Sequence, residues 1–240
     1  MEHPILFISL ILEKLGLPVP HGLVGDTVLA KLVSPHMTYT WLVMIFLIVI
    51  AKITIGKIEM VPGKGQNFWE AIISGLETFY VENMGVEGAR MLFPMLTSFA
   101  LFILIGNLVG LMPGFMSPTS NINITLGCTL IVWVTSHALG LKYHGFGYIK
   151  HFLGPMPWLI PLMFPIEVIS NFARILSLSI RLFGNIMAKE ILLAVLFMLA
   201  GAYFGPLPIL CLGVLVSFVQ AGVFVLLSVV YFSGAMEHAH

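Results

Sequence analysis

The stretch from Ile160 to Ala200 reads I-P-L-M-F-P-I-E-V-I-S-N-F-A-R-I-L-S-L-S-I-R-L-F-G-N-I-M-A-K-E-I-L-L-A-V-L-F-M-L-A. No proline lies between Pro165 and Pro206, so nothing there forces a helix to stop. At 1.5 Å per residue one continuous helix would be ~60 Å long, about twice the ~30 Å hydrocarbon core of a bilayer. One long helix, strongly tilted or curved, is the favoured reading. The alternative is two helices with a turn at Phe183-Gly184-Asn185. That turn would put Arg181 and Lys189 on the outer face and carry the C-terminus outside, against the distribution of basic residues in the loops.

Ionisable groups inside a membrane are costly and usually mark a pathway or a partner. Glu167, Arg174, Arg181 and Glu190 lie within this stretch. The first three are spaced by seven, and seven steps of 100° drift only ~20° from one face. Ser170, Asn171, Ser177 and Asn185 fall on or beside the same stripe, against a background of Ile, Leu, Phe, Met and Ala. One reading is an internal packing seam in which Glu167 pairs with Arg174 and the Ser and Asn side chains bond neighbouring helices. That reading is weaker for Arg181. Glu167 is four turns away, roughly 20 Å along the axis. Glu190 is nine positions on, roughly 14 Å away, and on a different face. Arg181 is therefore expected to meet a carboxylate from another subunit. A voltage sensor would repeat its arginines every third position and have more of them. Lys189 has a stem long enough to extend to an interface.

The whole chain fits a membrane setting. It has 240 residues, 59% hydrophobic and only 9% charged, with mean hydropathy +1.03. Soluble domains are about 25% charged. This composition excludes an ordinary soluble enzyme, a disordered protein and a secreted disulfide scaffold. Eleven basic residues balance eleven acidic ones, so no global field recruits nucleic acid. Cys128 and Cys211 sit in apolar runs and read as small buried hydrophobes.

The expected fold is all-α and polytopic, with about five membrane-embedded helices and added amphipathic surface helices. It divides into an N-terminal interfacial segment (1–37, with a short amphipathic helix near Pro4 to Leu12) and a first span (38–56). A charged amphipathic region follows (57–91), in which Phe68, Trp69, Ile72, Ile73, Leu76 and Phe79 recur at helical spacing. Then come a helical hairpin (92–142), with spans at Leu92 to Met112 and Ile122 to Leu141, and a long tilted hairpin (158–233), turning near Gly201 to Pro208. A tail closes the chain (234–240). The N-terminal apolar stretch lacks the basic start and cleavage site of a signal peptide. Lys52, Lys57, Lys64 and Arg90 flank one loop, and Lys142 and Lys150 lie in another. With those loops cytoplasmic, the N-terminus is outside and the E-H-A-H tail inside. In the last helix, Ile209 to Phe232, Gln220 is the strongly polar mid-depth side chain, with Ser217 and Ser228 as weaker companions. A lone Gln there is usually a packing hydrogen bond; pairing with the neighbouring stripe would make it functional.

The run S-L-S-I-R-L-F-G-N-I-M-A-K-E (Ser177 to Glu190) resembles the signature of subunit a of the F-type ATP synthase. P-I-E-V-I-S (Pro165 to Ser170), G-N-L-V-G-L-M-P with S-P-T-S-N-I-N-I-T (Gly106 to Thr125), and V-Q-A-G-V-F-V-L-L-S-V-V-Y (Val219 to Tyr231) agree with it. The resemblance covers about two-thirds of the chain, from the first span to the tail. It implies an ion-translocating stator beside a ring of c subunits, each with a mid-membrane carboxylate, and peripheral-stalk b subunits as further partners. Arg181 then corresponds to the essential charge gate. Asn185, Glu190 and Gln220 match an outer aqueous half-channel, and Glu167, Ser170 and Ser177 an inner one. Arg174, Asn171, Lys189 and Asn107 are supporting residues. The implied setting is a bacterial cytoplasmic membrane, and no cofactor is implied. Relatives often carry a His or Glu on the last helix facing the Glu190 position, where this chain has Gly213. Many also have a small residue in place of Lys189, which here would tune Glu190, repel cations at the entry, or only reach the headgroups.

Other motifs carry less. His137, His144 and His151 recur at seven but are joined by no Cys or carboxylate, so an interfacial loop is expected rather than a metal site. His238 and His240 form a tail. Asn123-Ile124-Thr125 matches a glycosylation pattern but opens a span. Asn107, inside a span, lines a channel or bonds a neighbouring helix. The chain has no G-x-x-x-x-G-K-[ST] loop, so no ATP site is expected on it. Two competing functions remain: a self-contained secondary transporter or channel, for which no internal repeat of the stripe is visible, and a structural subunit whose buried charges only direct assembly.

Overall fold

A computed structural model describes residues 35–55, 63–112, 115–145, 160–200 and 207–236. The expected interfacial helix near the N-terminus, most of the Gly201 to Pro208 turn, the loop with Lys150 and His151, and the E-H-A-H end lie outside them. Five long helices follow one another: α1 (Pro35–Ile55), α2 (Lys64–Val109), α3 (Ile122–His144), α4 (Ile160–Ala200) and α5 (Leu207–Met236). A short 3-10 turn, Pro118–Ser120, precedes α3. No strand occurs among the described residues. Four helices, α1, α2, α3 and α5, are long and apolar enough to cross a membrane. The chain is an all-α, polytopic membrane protein.

Apolar side chains form these helices, and polar ones hold them together. Trp41, Ile45, Ile48 and Ile53 of α1 are exposed, as are Leu130, Ile131 and Val134 of α3. Thr125, Thr129, Ser179, Ser217 and Ser228 are buried. A soluble protein shows the reverse pattern. In lipid there is no hydrophobic drive between helices, so small and hydroxyl side chains take the contact faces. Several hydroxyls also bond back to the carbonyl four residues earlier: Thr129 to Thr125, Thr135 to Ile131, Ser217 to Gly213 and Ser228 to Phe224. Cys211 departs from the buried reading of the cysteines: it is exposed on α5, and Cys128 is half-buried; both are free thiols.

The helix over Ile160–Ala200 is continuous, without a break at Phe183-Gly184-Asn185. Pro165 lies early in it. There it removes a single backbone donor while the helix continues. The charged region and the second span, expected as separate elements, join in α2. Its one non-helical residue is Gly85, at φ 73° and ψ 169°, a region essentially reserved for glycine. On the N-terminal arm Trp69 and Tyr80 are buried, and Ile72, Ile73, Leu76 and Phe79 are half-buried. Phe68, expected on the same apolar stripe, is 60% exposed. Its ring stands edge-on to Trp69, which takes the inward position instead.

The chain forms two compact units. The first takes in the described residues up to Asn67 and those within Leu101–Asn121 and Phe183–Ala221. Within it α1 packs on the Pro118–Ser120 turn, with Tyr39 against Phe115 at 5.9 Å. The second takes in Phe68–Ala100 and the described residues within Ile122–Leu182 and from Gly222 on. Within it Thr125 and Ser179 hydroxyls meet at 3.2 Å, Ser136 donates to the Tyr231 carbonyl, and Phe99 stacks edge-on against Phe224. At Gly85 an added Cβ would meet nothing within 4 Å, so only backbone strain opposes a side chain. Gly85→Ala is expected to cost about 1–3 kcal/mol, read as a lower melting temperature of the purified protein in detergent. Gly75→Ala, in open space on a helical turn, is expected to be neutral or to stabilise by up to ~1 kcal/mol.

Candidate functional site: two polar clusters

The first unit gathers a buried polar cluster around the end of α2. Asn107, Ser117 and Thr119 are fully buried. Ser117 Oγ donates to the Gly106 carbonyl at 3.0 Å and lies 2.7 Å from Thr119 Oγ1. Thr119 Oγ1 donates to Asn107 Oδ1 at 2.6 Å, and Ser120 Oγ to the Ser117 carbonyl. Two consecutive residues of α4 reach this network. Glu190 Oε1 accepts the Ser117 backbone N–H at 3.1 Å. Lys189 Nζ donates to the Asn107 carbonyl at 3.2 Å. Lys189 is buried within the chain. Asn107, on α2, accepts from the Pro118–Ser120 turn through Oδ1 and from α4 through its carbonyl, while its Nδ2 is buried without a partner among the described residues.

Asn185 and Gln220 complete this cluster's polar set. Asn185 Nδ2 donates to Gln220 Oε1 at 2.7 Å, joining α4 to α5. Gln220 is buried and Asn185 is exposed. The lone Gln of the last helix thus pairs with the stripe of α4. Opposite Lys189, Gly213 leaves space: a Cβ there would lie 2.5 Å from Leu111 Cδ2 and 3.2 Å from Lys189 Cδ.

The second unit holds the other polar residues of α4. Asn171 is buried, and its Nδ2 donates to the Glu167 carbonyl at 2.9 Å and to Glu167 Oε1 at 3.3 Å. Arg174 does not pair with Glu167: among the described residues the two form no ion pair, and the Arg174 guanidinium lies over the Tyr231 ring, 5.6 Å from its centroid. Seven residues along a helix rise roughly 10 Å, and the aromatic face is the nearer partner for the cation. Ser170 is half-buried and Ser177 exposed. Arg181 is exposed and donates from Nη2 to Ser177 Oγ, one turn back, at 3.4 Å. Among the described residues it forms no ion pair.

Sequence reasoning missed Ser117, Thr119, Ser120 and Tyr231 as members of these clusters. The uncharged run S-P-T-S between two spans was the available signal: a polar turn beside a span must satisfy its groups internally. Tyr231 carried no signal, because an aromatic near a helix end is common at membrane interfaces. The Asn185–Gln220 bond yields a test. Asn185→Leu and Gln220→Leu are each expected to destabilise the protein, and the double variant by less than their sum. The coupling is expected near ~0.6 kcal/mol and no more than ~1.7, read from unfolding in detergent.

Comparison with known proteins agrees with this architecture. The ATP synthase A chain family matches residues 37–233. ATP synthase subunit a of Desulfotalea psychrophila is 68% identical over 240 residues, all of both chains. The proteins of that name from Syntrophobacter fumaroxidans and Desulfosudis oleivorans are 51% and 52% identical, again over all of both chains. With helices that can cross a membrane, a family match over most of its length and relatives at more than half identity from end to end, this chain belongs to the ATP synthase A chain family.

Proposed function

We propose that this membrane subunit of a rotary ATP synthase is its ion-translocating stator, working on protons and presenting two offset half-channels to a ring of c subunits. Arg181 is the charge gate. The observation that carries this reading is that Arg181 is exposed on α4 and forms no ion pair among the described residues, although an unpaired guanidinium in hydrocarbon costs at least ~2.5–3.5 kcal/mol. A carboxylate on a facing subunit answers that cost. A ring carboxylate facing lipid is neutral, because burial penalises its charge. Beside Arg181 it gives up its proton, since an opposite charge at ~4–6 Å lowers its pKa by 1–3 units.

The two polar clusters support the paired pathways. Asn185, Gln220 and Glu190, with the hydroxyls of the Ser117–Ser120 turn, form the outer one. Glu167, Ser170 and Ser177, backed by Asn171 and Arg174, form the inner one. Because the pathways are separate, an ion crosses only by riding the ring. Each charge moved down the membrane potential supplies ~2.3 kcal/mol per 100 mV. The chain itself is not an enzyme: bond formation in ATP takes place elsewhere in the complex. Peripheral-stalk b subunits hold it against rotation, and it lies in a bacterial cytoplasmic membrane with its N-terminus outside and C-terminus inside.

The test is ATP-driven acidification of inverted vesicles carrying Arg181→Ala, after quantifying assembly of the complex. Loss of pumping in an assembled complex is the expected result. Normal pumping would make Arg181 structural and remove the gate from the mechanism.

A further inference from the structure

The last four carbonyls of α2, those of Gly106 to Val109, have no partner within the helix itself. Gly106 O is bonded by the Gly110 N–H and by Ser117 Oγ. Leu108 O accepts from Leu111 N–H at 3.1 Å, and Val109 O from Met112 N–H at 3.1 Å. The tightened bond to Leu108 takes away the N–H that a continuing helix would offer to Asn107 O. That carbonyl, on a fully buried residue, is bonded by the Lys189 ammonium. It lies at the negative end of the helix dipole, where a cation is favoured. One residue on, Glu190 accepts the N–H of Ser117, which directly precedes the Pro118–Ser120 turn. A cation therefore meets an orphan carbonyl and an anion meets an orphan N–H, from neighbouring positions of α4. The Lys189 stem runs where Gly213 has no side chain, and Gly110 lets Ser117 come close: a Cβ on Gly110 would lie 2.6 Å from Ser117 Cβ.

We infer that Lys189 is a positioning residue: it caps α2 from inside the protein and, with Glu190, clamps the Ser117–Ser120 turn into the polar cluster, with Gly213 as the vacancy that admits it. The consequence for ion movement rests on the outer-pathway reading above, since the clamped turn presents Ser117 to Glu190. Lys189 itself carries no ion in this role. It fixes the loop against which Glu190 is oriented.

The test uses the assembled complex in which Cys128 and Cys211 are replaced by Ser and Ser120→Cys reports the turn through its reaction with a water-soluble maleimide. Ser120 is only 7% exposed, so labelling is slow while the turn is clamped. Lys189→Met keeps the stem and removes the donor; it is expected to raise the labelling rate about tenfold or more, as loss of a hydrogen bond to a charged group eases local opening. Lys189→Arg, which keeps a cationic donor, is expected to return the rate most of the way. Unchanged labelling in an assembled Lys189→Met complex, or labelling as fast with Arg as with Met, overturns the capping role. Where Lys189→Met does not assemble, Gly213→Ala is read in its place. It crowds Leu111, at 2.5 Å, and the Lys189 stem, at 3.2 Å, and is expected to speed labelling several-fold; an unchanged rate overturns the proposal. Labelling does not depend on pumping. Failure of the stator reading would appear in Arg181→Ala acidification and leave the labelling result intact.

Discussion

Every polar group in hydrocarbon has to find a partner, and this chain is organised around that requirement. Lipid supplies no hydrogen bonds, so polar groups are answered by the same helix, by another helix, or by another subunit. Hydroxyls such as Thr129 and Ser228 are answered on their own helix. The amides of Asn185 and Gln220 answer each other between helices. The exposed guanidinium of Arg181, which forms no ion pair among the described residues, is the case on which the proposed facing subunit rests. Exposed Leu, Ile and Phe make the outer surface, and buried Ser, Thr and Asn the contacts, because the solvent is apolar.

The two clusters differ in character. The one around Asn107 closes on itself: Asn107, Ser117, Thr119 and Lys189 are buried and most of their polar atoms are paired within it. The one along the first half of α4 is open: Ser177 and Arg181 are exposed, and Arg181 is held by one long contact. A closed cluster fixes geometry. An open one leaves a long side chain free to change partner, as the proposed gate needs for successive carboxylates.

Much of the fold was legible because it depends on local properties. Hydropathy and length located α1, α3 and α5 within a few residues, and the absence of a proline after Pro165 made α4 a single helix. The sevenfold spacing of Glu167, Arg174 and Arg181 put three charged residues near one face of α4. What could not be read were choices among partners. Arg174 lies on Tyr231 rather than beside Glu167, and Lys189 turns inward to a backbone carbonyl. Side-chain chemistry permits either outcome in each case; the tertiary structure decides which acceptor is within reach. The backbone of Gly85 was equally silent, since a glycine within a helical pattern is compatible with continuation or with a break.

The back-bonded hydroxyls bear on how much each helix needs its neighbours. A serine or threonine that already donates to its own helix presents a nearly apolar surface to a passing lipid, so in α5, with Ser217 and Ser228 so arranged, Gln220 is the polar side chain that draws on another helix. For α4 this does not hold. The partners of Lys189, Glu190, Asn185 and Arg174 lie on α2, the following turn and α5, so its polar face is complete only once those segments are beside it. α4 therefore depends on segments both before and after it in the chain to satisfy its polar groups.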